Sequence, residues 1–142
     1  MTRVDFYVVD KPGQDALLQV ACRLAEKAHA AGHRVFIYTE DAALRQRLDE
    51  LLWTFRQGSF VPHGLLENLD GADDPTPVVI GGEAPPAGAD DVIVNLGQRI
   101  PDFFSRFERC LELVPAQDRD QARERYRFYQ SRGYPLAKHD IQ

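Results

Sequence analysis

The chain has 142 residues, is 44% hydrophobic and 27% charged, and carries a formal net charge of −5 at pH 7. This length suits one domain, and the composition is typical of a globular protein and not of a disordered one. No apolar run approaches the roughly 18–20 residues of a membrane-spanning helix. Because acidic residues interrupt the first ten positions, where an export signal has an apolar core, we expect a cytoplasmic protein.

The first predicted elements are a strand and a helix. Residues 4–10, VDFYVVD, are a short run of β-branched and aromatic residues, which predicts a buried strand. A turn over residues 11–15 leads to a helix over residues 15–31, where apolar residues recur every three or four positions. Asp15 is a suitable cap for the start of this helix, and Gly32 is placed to end it.

A second strand and helix follow directly. Residues 33–39, HRVFIYT, predict a strand, and residues 40–55 predict a helix with its leucines on one side. The next segment, SFVPHG at residues 59–64, is short and apolar and is stopped by Pro62.

The second half of the chain continues the same alternation. Residues 77–82 and 91–97 predict two more buried strands, separated by a surface loop that is dense in glycine and proline. Pro101 suits the first turn of a helix, and we predict a helix over residues 101–114. The last predicted helix spans residues 116–132 and ends before a glycine and a proline.

The order of these elements predicts the fold class. Strands alternate with helices, and the strand sequences are apolar without clean alternation, as in strands that are covered on both faces. We therefore predict a single domain over residues 1–142, a three-layer α/β/α sandwich with a mostly parallel, Rossmann-like sheet.

The chain lacks the usual signatures of catalysis. The first strand–helix turn has one glycine, Gly13, between Asp10 and Asp15, whereas a dinucleotide-binding turn is rich in glycine and free of repelling carboxylates. Cys22 and Cys110 are predicted to be buried free thiols on the apolar sides of helices. We predict no catalytic residue, no metal site and no cofactor.

Charge is distributed unevenly along the chain. Residues 115–142 hold six Lys/Arg and four Asp/Glu, a net charge of +2, which leaves −7 on residues 1–114. A general nucleic-acid-binding protein presents a broad basic face, and here the positive charge sits in one short segment. An acidic peptide is therefore a better match for this segment than a long phosphate backbone.

The last predicted helix carries a row of arginines. Arg119, Arg123 and Arg127 are four residues apart, so their side chains line up on one side, with Tyr126 beside them. Two interpretations remain open at this point. The row is either merely solvated, or it is a receptor in which guanidinium groups bind the carboxylates of an acidic peptide beside the tyrosine ring.

The other sides of this helix have different expected roles. Ala122, Phe128 and Tyr129 turn away from the arginine row and are predicted to pack against the body of the domain. Arg125 and Arg132 are predicted to project from another side, with Arg125 exposed to solvent.

A second candidate surface surrounds Trp53, the single tryptophan of the chain. It follows a leucine-rich helix, and Phe60, Val61 and Pro62 come a few residues later. The alternatives are ordinary core packing and a partly exposed apolar patch that docks another protein, since Trp and Phe are favoured anchors in interfaces.

Several stretches resemble one family in order and in sequence. They are distributed along nearly the whole chain: FYVVD (6–10), GHRVFIYTED (32–41), LDELLW (48–53), SFVPHG (59–64), DVIVNL (91–96) and ARERYRFY (122–129). In these motifs the chain resembles the chi subunit of bacterial DNA polymerase III holoenzyme, an accessory protein of the clamp loader.

The resemblance implies a Rossmann-like fold without nucleotide chemistry. It implies a chain that is not itself an enzyme and acts within a DNA-directed DNA polymerase, a nucleotidyltransferase assembly, during DNA replication. Two partners are implied: the acidic C-terminal tail of single-stranded-DNA-binding protein, which ends in Pro-Phe, and the psi subunit, which links chi to the clamp loader. Contact with DNA would then be indirect.

The resemblance also implies two sets of binding residues. The tail site of the family uses basic residues and a tyrosine of the late helix with an apolar wall, and the matching residues are Arg123, Tyr126, Arg127, Arg119 and Val114. The psi contact of the family maps onto apolar residues, and these are Trp53, Phe60, Val61 and Pro62.

Two rival hypotheses are kept beside this one. The first is a Rossmann-like small-molecule or nucleotide-binding enzyme that uses Asp10 at the C-terminal ends of the strands. The second is a direct single-stranded nucleic-acid-binding protein that uses the mixture of arginine and aromatic residues.

Overall fold

The structure is a computed structural model that describes residues 1–71 and 73–141. Its centre is one sheet of seven strands in the order β3-β4-β2-β5-β6-β1-β7, and every neighbouring pair runs parallel. The strands, in chain order, are β1 Arg3–Val9, β2 Val35–Tyr38, β3 His63–Leu65, β4 Val78–Gly81, β5 Val92–Asn95, β6 Arg109–Pro115 and β7 Leu136–Ile141.

Within the described residues, three α-helices cover the two faces of this sheet. Helices α1 (Gln14–Ala30) and α2 (Ala42–Thr54) pack on one face, and α3 (Arg119–Ser131) packs on the other. Each face has its own hydrophobic core. Central strands such as β2, β4 and β5 are buried along their whole length, because helices or short 3₁₀ turns cover both of their faces. The predicted three-layer α/β/α fold is confirmed.

The helix ends follow from local chemistry. Asp41 caps α2, since its Oδ1 accepts hydrogen bonds from the backbone N–H groups of Ala43 (2.9 Å) and Leu44 (3.3 Å). The prediction that Asp15 caps α1 is wrong: the cap position is Gly13, at φ 100°, and Asp15 lies in the first turn. There its carboxylate lies near the positive end of the helix dipole, which stabilises the helix.

The helix predicted over residues 101–114 is wrong. The structure has a single 3₁₀ turn at Phe104–Arg106 and then strand β6 between β5 and β1. Its residues Cys110 to Val114 are all buried, because β6 is central in the sheet and covered on both faces. A fully buried strand and a buried helix share the same apolar run, so periodicity did not separate them.

Strand β7 was not predicted from the sequence. It is an edge strand that pairs with β1 alone, and its residues are half-buried or exposed. Its sequence, LAKHDI, therefore carries little apolar signal. Its position matters because it places the side chain of Lys138 in register with Phe6 of β1, on the same face of the sheet as α3.

Both cysteines are free and buried, as predicted, although Cys110 lies in strand β6 and not in a helix. Burial raises the pKa of the Cys22 thiol to about 12, and it also raises the pKa of Cys110. Within residues 1–71 and 73–141, no helix has the length and apolar character needed to cross a membrane. Over the same residues, no cluster of three or more His, Cys, Asp or Glu side chains is arranged to hold a metal ion.

Candidate functional site

A cavity of about 230 Å³ lies between α3 and the edge of the sheet, and we call it the α3 pocket. Its apolar lining comes from the sheet and the helix: Phe6, Val8, Val114 and Ala122. Its polar lining consists of Arg119, Arg123 and Tyr126 from α3 and Lys138 from β7. The pocket therefore has an apolar floor and cationic groups on both walls.

The floor is built by neighbouring parallel strands. Val8 of β1 and Val114 of β6 are register partners, so their side chains lie side by side on the face that α3 covers. Phe6 extends this surface, and the ring of Tyr126 lies against it, with 5.3 Å between ring centroids and an angle of 57°. Tyr126 is half-buried, so part of its ring stays accessible from the pocket.

Each of the three lining cations has an aspartate near it. The distance from a side-chain nitrogen to the aspartate Oδ1 is 2.5 Å for Arg119 and Asp10 and 3.3 Å for Arg123 and Asp120. The same distance is 3.9 Å for Lys138 and Asp140. All six side chains are more than a third exposed. Exposed ion pairs contribute only about 0–1 kcal/mol, so another carboxylate can replace these aspartates at little cost.

Of the five residues that resemble the family's tail site, four line one cavity. They are Arg119, Arg123, Tyr126 and Val114. Arg127 is exposed on the next turn of α3 and is not part of the pocket lining. It extends the arginine row beyond the rim. Lys138 was missed because no strand was predicted after Pro135, and the parallel register of β7 is what brings it to the site.

The inner side of α3 is held by a buried carboxylate. Glu112 of β6 is fully buried, and it accepts hydrogen bonds from Arg125 Nε (3.3 Å), Tyr129 OH (2.6 Å) and Asn95 Nδ2 (3.0 Å). The prediction that Arg125 is exposed is therefore wrong: it is 7% exposed and also donates to the carbonyl of Gln98. An ionised carboxylate is costly to bury without a partner, and Arg125 on the helix above supplies a compensating charge.

Burial and hydrogen bonding act in opposite directions on this carboxylate. Burial raises the pKa of Glu112, and the nearby Arg125 with the Tyr129 and Asn95 donors partly offsets that rise. The pKa of Tyr129 is raised by its burial and by the adjacent Glu112. Because Arg125 and Tyr129 are four residues apart, the two bonds fix the rotation of α3 and thereby aim Arg123 and Tyr126 at the pocket.

The second candidate surface lies at the far edge of the sheet. We call it the Trp53 patch, and it consists of Trp53, Phe60 and Pro62. Trp53 is 56% exposed and Phe60 is 69% exposed, with 6.1 Å between their ring centroids. Pro62 is half-buried, whereas Val61 is 1% exposed and packs in the core beneath, so its side chain is not accessible to a partner.

His63 ties this patch to the body of the protein. Its buried ring lies 4.5 Å from the Trp53 ring, and its Nε2 and Nδ1 are 2.9 Å and 2.7 Å from the carbonyl oxygens of Asp49 and Val61. The ring thus joins α2 to the segment that carries Phe60. Two exposed aromatic rings on a well-anchored support are typical of a docking surface and not of core packing.

The C-terminal ends of the strands, where Rossmann-like proteins bind ligands, are arranged differently. Asp10, which follows β1, is engaged by Arg119 at the start of α3. A cavity of about 210 Å³ lies beside them, and its lining includes Gly13, Gly97, Arg125 and Asp118. The Asp118 carboxylate in this lining disfavours a phosphate group.

The fold and these sites define a class of protein: an all-parallel α/β domain that presents a basic pocket and an apolar patch. The chain belongs to the family described as DNA polymerase III chi subunit, HolC, whose model matches residues 1–137. Membership of this family assigns the chain to DNA replication.

Individual relatives agree with the family assignment. The DNA polymerase III subunit chi of Pseudomonas aeruginosa is 45% identical over 143 aligned residues, which cover 99% of this chain and 98% of that protein. The corresponding subunits of Escherichia coli and Haemophilus influenzae are 33% and 32% identical, and each alignment covers 96% of this chain and at least 95% of the relative.

A distant structural likeness concerns the fold alone. Domain 2 of the DEAD-box helicase Mss116p, solved bound to an RNA duplex, superposes with a TM-score of 0.62 at 8% sequence identity. The superposition covers 98% of this chain and 64% of the helicase chain. At this identity the likeness indicates a shared Rossmann-like architecture.

Proposed function

We propose that this chain is a non-catalytic adaptor that links the clamp-loader assembly of DNA polymerase III to the acidic C-terminal tail of single-stranded-DNA-binding protein. The observation that carries the proposal is the α3 pocket, where an apolar floor is bordered by Arg119, Arg123 and Lys138. Acidic residues of the tail would pair with these cations, and the terminal apolar side chain would fill the floor.

The chemistry of each wall supports an acidic peptide as the ligand. Guanidinium groups bind carboxylates through paired N–H donors, and the accessible part of the Tyr126 ring offers an apolar contact beside them. The pocket also lies at the N-terminal half of α3, where the helix dipole favours negative charge. A neutral peptide would gain none of these electrostatic contributions.

The charge distribution favours an indirect contact with DNA. Residues 1–114 carry a net charge of −7, so most of the chain repels a phosphate backbone. The basic groups are concentrated at α3, which suits a short segment of carboxylates. The proposed adaptor reaches DNA through the protein that coats it.

The Trp53 patch is proposed as the site for the psi subunit. Trp53 and Phe60 offer exposed aromatic anchors, and they lie next to β3, at one edge of the sheet. The α3 pocket lies beside β7, at the opposite edge. Seven strands at a spacing of about 4.8 Å separate these edges by roughly 29 Å, so both partners can bind at once.

The test is a titration of a labelled peptide with the sequence of the tail, followed by fluorescence anisotropy. Arg123→Ala should weaken binding by about 1–3 kcal/mol, the range for hydrogen bonds to charged groups. Arg106→Ala is the matched control, because Arg106 is exposed and lies outside the pocket lining. Equal affinities for both variants and the wild type would contradict the proposed site.

A second arm separates the adaptor from the rival functions. A single-stranded oligonucleotide should bind far more weakly than the tail peptide at the same salt concentration. Nucleotides and sugar phosphates should not raise the melting temperature of the protein, because the turn at Gly13 lacks the glycine-rich sequence of a dinucleotide-binding turn. Tight oligonucleotide binding in the absence of the coating protein would favour direct nucleic-acid recognition instead.

A further inference from the structure

A second cavity lies at the same edge of the sheet as the α3 pocket but on the opposite face. Its volume is about 360 Å³, and we call it the α1 groove because it lies between α1 and the strands β1 and β7. Its floor is aliphatic and comes from Val9, Ala16, Val20 and Ile141. Val9 and Ile141 are register partners on neighbouring strands, so their side chains lie side by side and can receive an aliphatic group.

Two exposed cations border this floor, Lys11 just after β1 and Arg23 on α1. Lys27 lies about one turn beyond Arg23 on the same side of α1 and is also exposed. Over residues 1–71 and 73–141, no carboxylate forms an ion pair with any of these three side chains. The groove therefore presents positive charge that the described part of the chain does not neutralise by direct contact.

The acidic residues nearest in sequence have other partners. Three aspartates each pair with a cation outside the groove: Asp10 with Arg119, Asp15 with Arg47 and Asp140 with Lys138. Side chains alternate along a strand, so Asp140 faces the opposite side of the sheet from its neighbour Ile141. An apolar groove bordered by cations, in a chain with a formal net charge of −5, is complementary to a ligand that is itself negatively charged.

We propose that the α1 groove binds an acidic segment of a protein partner, with carboxylate side chains on Lys11 and Arg23 and an aliphatic side chain on the floor. The incoming carboxylates would displace only water from these exposed cations. The groove and the α3 pocket lie on opposite faces of the sheet, so this site does not depend on the function proposed above.

The spacing of the cations along α1 suits an extended segment. Arg23 and Lys27 are separated by about 6 Å along the helix axis, since each of the four residues rises by about 1.5 Å. In an extended peptide, alternate side chains are about 6.6–6.8 Å apart. Carboxylates at alternate positions can therefore reach both cations, and the side chain between them is left to contact the aliphatic floor.

The lining of the groove favours a peptide over a single strand of nucleic acid. Proteins that bind single strands stack the bases on aromatic rings beside their basic groups. Among the residues that the structure describes, no aromatic side chain lines the α1 groove. An aliphatic floor instead packs well against a leucine, isoleucine or valine side chain of a peptide.

The experiment titrates the ¹⁵N-labelled full chain with an octapeptide in which aspartate and leucine alternate, followed by amide chemical shifts. Both peptide ends are blocked, so that only the aspartate side chains carry charge. The amide signals of the groove residues should shift: Lys11, Ala16, Val20, Arg23 and Ile141.

Variants then test the two cations. Lys11→Gln and Arg23→Gln should each weaken the affinity read from these shifts about twofold to fivefold, as expected for exposed ion pairs. Arg106→Gln is the matched control and should equal the wild type, because Arg106 is exposed and lies outside the groove lining. The rest of each spectrum shows whether the variant is folded. Equal affinities for the wild type and both cation variants would overturn the proposal.

Two other ligands separate the alternatives. A matched peptide with asparagine in place of aspartate should bind much more weakly, and equal binding would overturn the role of charge. A single-stranded oligothymidine that occupied the groove more tightly than the acidic peptide would overturn the assignment to a protein partner. Shifts confined to Arg123 and Tyr126 would place the peptide in the α3 pocket and overturn the second site, while leaving the proposed function of that pocket intact.

Discussion

Substitution of Arg125 by methionine tests whether the buried carboxylate under α3 orients the peptide site. Arg125 and Glu112 are 7% and 0% exposed, and Nε is 3.3 Å from Oε1. Arg125→Met removes the cation and leaves the Glu112 carboxylate buried with only the neutral donors of Asn95 and Tyr129. Breaking one side of a buried pair costs about 3–5 kcal/mol, a large part of the stability of a domain of this size.

The assay is urea denaturation followed by circular dichroism, with a second substitution that removes the stranded charge. Glu112→Gln keeps an oxygen to accept the Tyr129 hydrogen bond and removes the carboxylate charge. Alone it should destabilise, because it leaves Arg125 buried without its counter-ion. In the Arg125→Met background it should restore part of the lost stability. Costs that simply add in the double variant would refute the coupling.

The pH dependence of the same variant has a definite sign. Burial raises the pKa of Glu112, and loss of the Arg125 charge raises it further. A carboxyl group whose pKa is higher in the folded state than in the unfolded state contributes stability below the unfolded pKa and loses it as pH rises through the folded pKa. The difference in stability between the wild type and Arg125→Met should therefore be larger at pH 8 than at pH 5. The opposite trend would contradict a buried, ionised Glu112.

Three further outcomes are expected. Asp10→Asn should raise the affinity for the acidic tail peptide about twofold by releasing Arg119, and a loss of affinity would instead mean that Asp10 orients Arg119. Trp53→Ala should abolish capture of the psi subunit in a pull-down and leave peptide affinity unchanged; loss of both activities would point to misfolding. Asp5 is buried, which opposes its ionisation, but hydrogen bonds from His139 and Arg109, each at 3.0 Å, lower its pKa below 3.8 overall. The ionised Asp5 carboxylate stabilises the fold above its unfolded pKa, and this stabilisation is lost as pH falls through the lower folded pKa. Asp5→Asn should therefore lower the melting temperature at pH 7 and have a smaller effect near pH 3, as measured by thermal unfolding.

The sequence predicted the strands correctly where they are apolar and where turn residues mark their ends. The strands predicted over residues 4–10, 33–39, 77–82 and 91–97 all exist, with ends that differ by one or two residues. Helices α1 and α2 were predicted equally well, because one side of each is apolar. Gly32 marks the C-terminal end of α1, and Asp41 marks the start of α2. These signals are local, and tertiary context did not override them.

The two errors at the C-terminal side share a cause. Strand β6 is apolar because it is central, and strand β7 is polar because it is an edge, so neither has the alternation that marks a half-buried strand. The pairing of both strands with β1 is a long-range event. Consequently the floor residue Val114 was placed at the end of a helix, and Lys138 was not recognised as part of the site.

Arg125 shows why the exposure of a helical residue cannot be predicted from its charge alone. Its sequence neighbours are charged and aromatic, and nothing local distinguishes it from Arg123. The difference lies in Glu112, which is 13 residues away and is buried in a strand that was predicted as helix. A buried arginine is stable only with such a partner, so its role became visible once the β6 register was known.

The arrangement of the strand ends is compatible with the proposed adaptor role. In Rossmann-like domains the crevice between strands whose helices leave to opposite faces is the usual ligand site. Here those strands are β1 and β6, followed by α1 on one face and α3 on the other, and the Asp10–Arg119 pair joins the two strand ends. The proposed peptide and psi sites instead use the two edges of the sheet, where α3 meets β7 and where Trp53 lies near β3. A rigid sheet between two separate edges holds two partners at a fixed distance, which is the mechanical requirement for coupling one assembly to another.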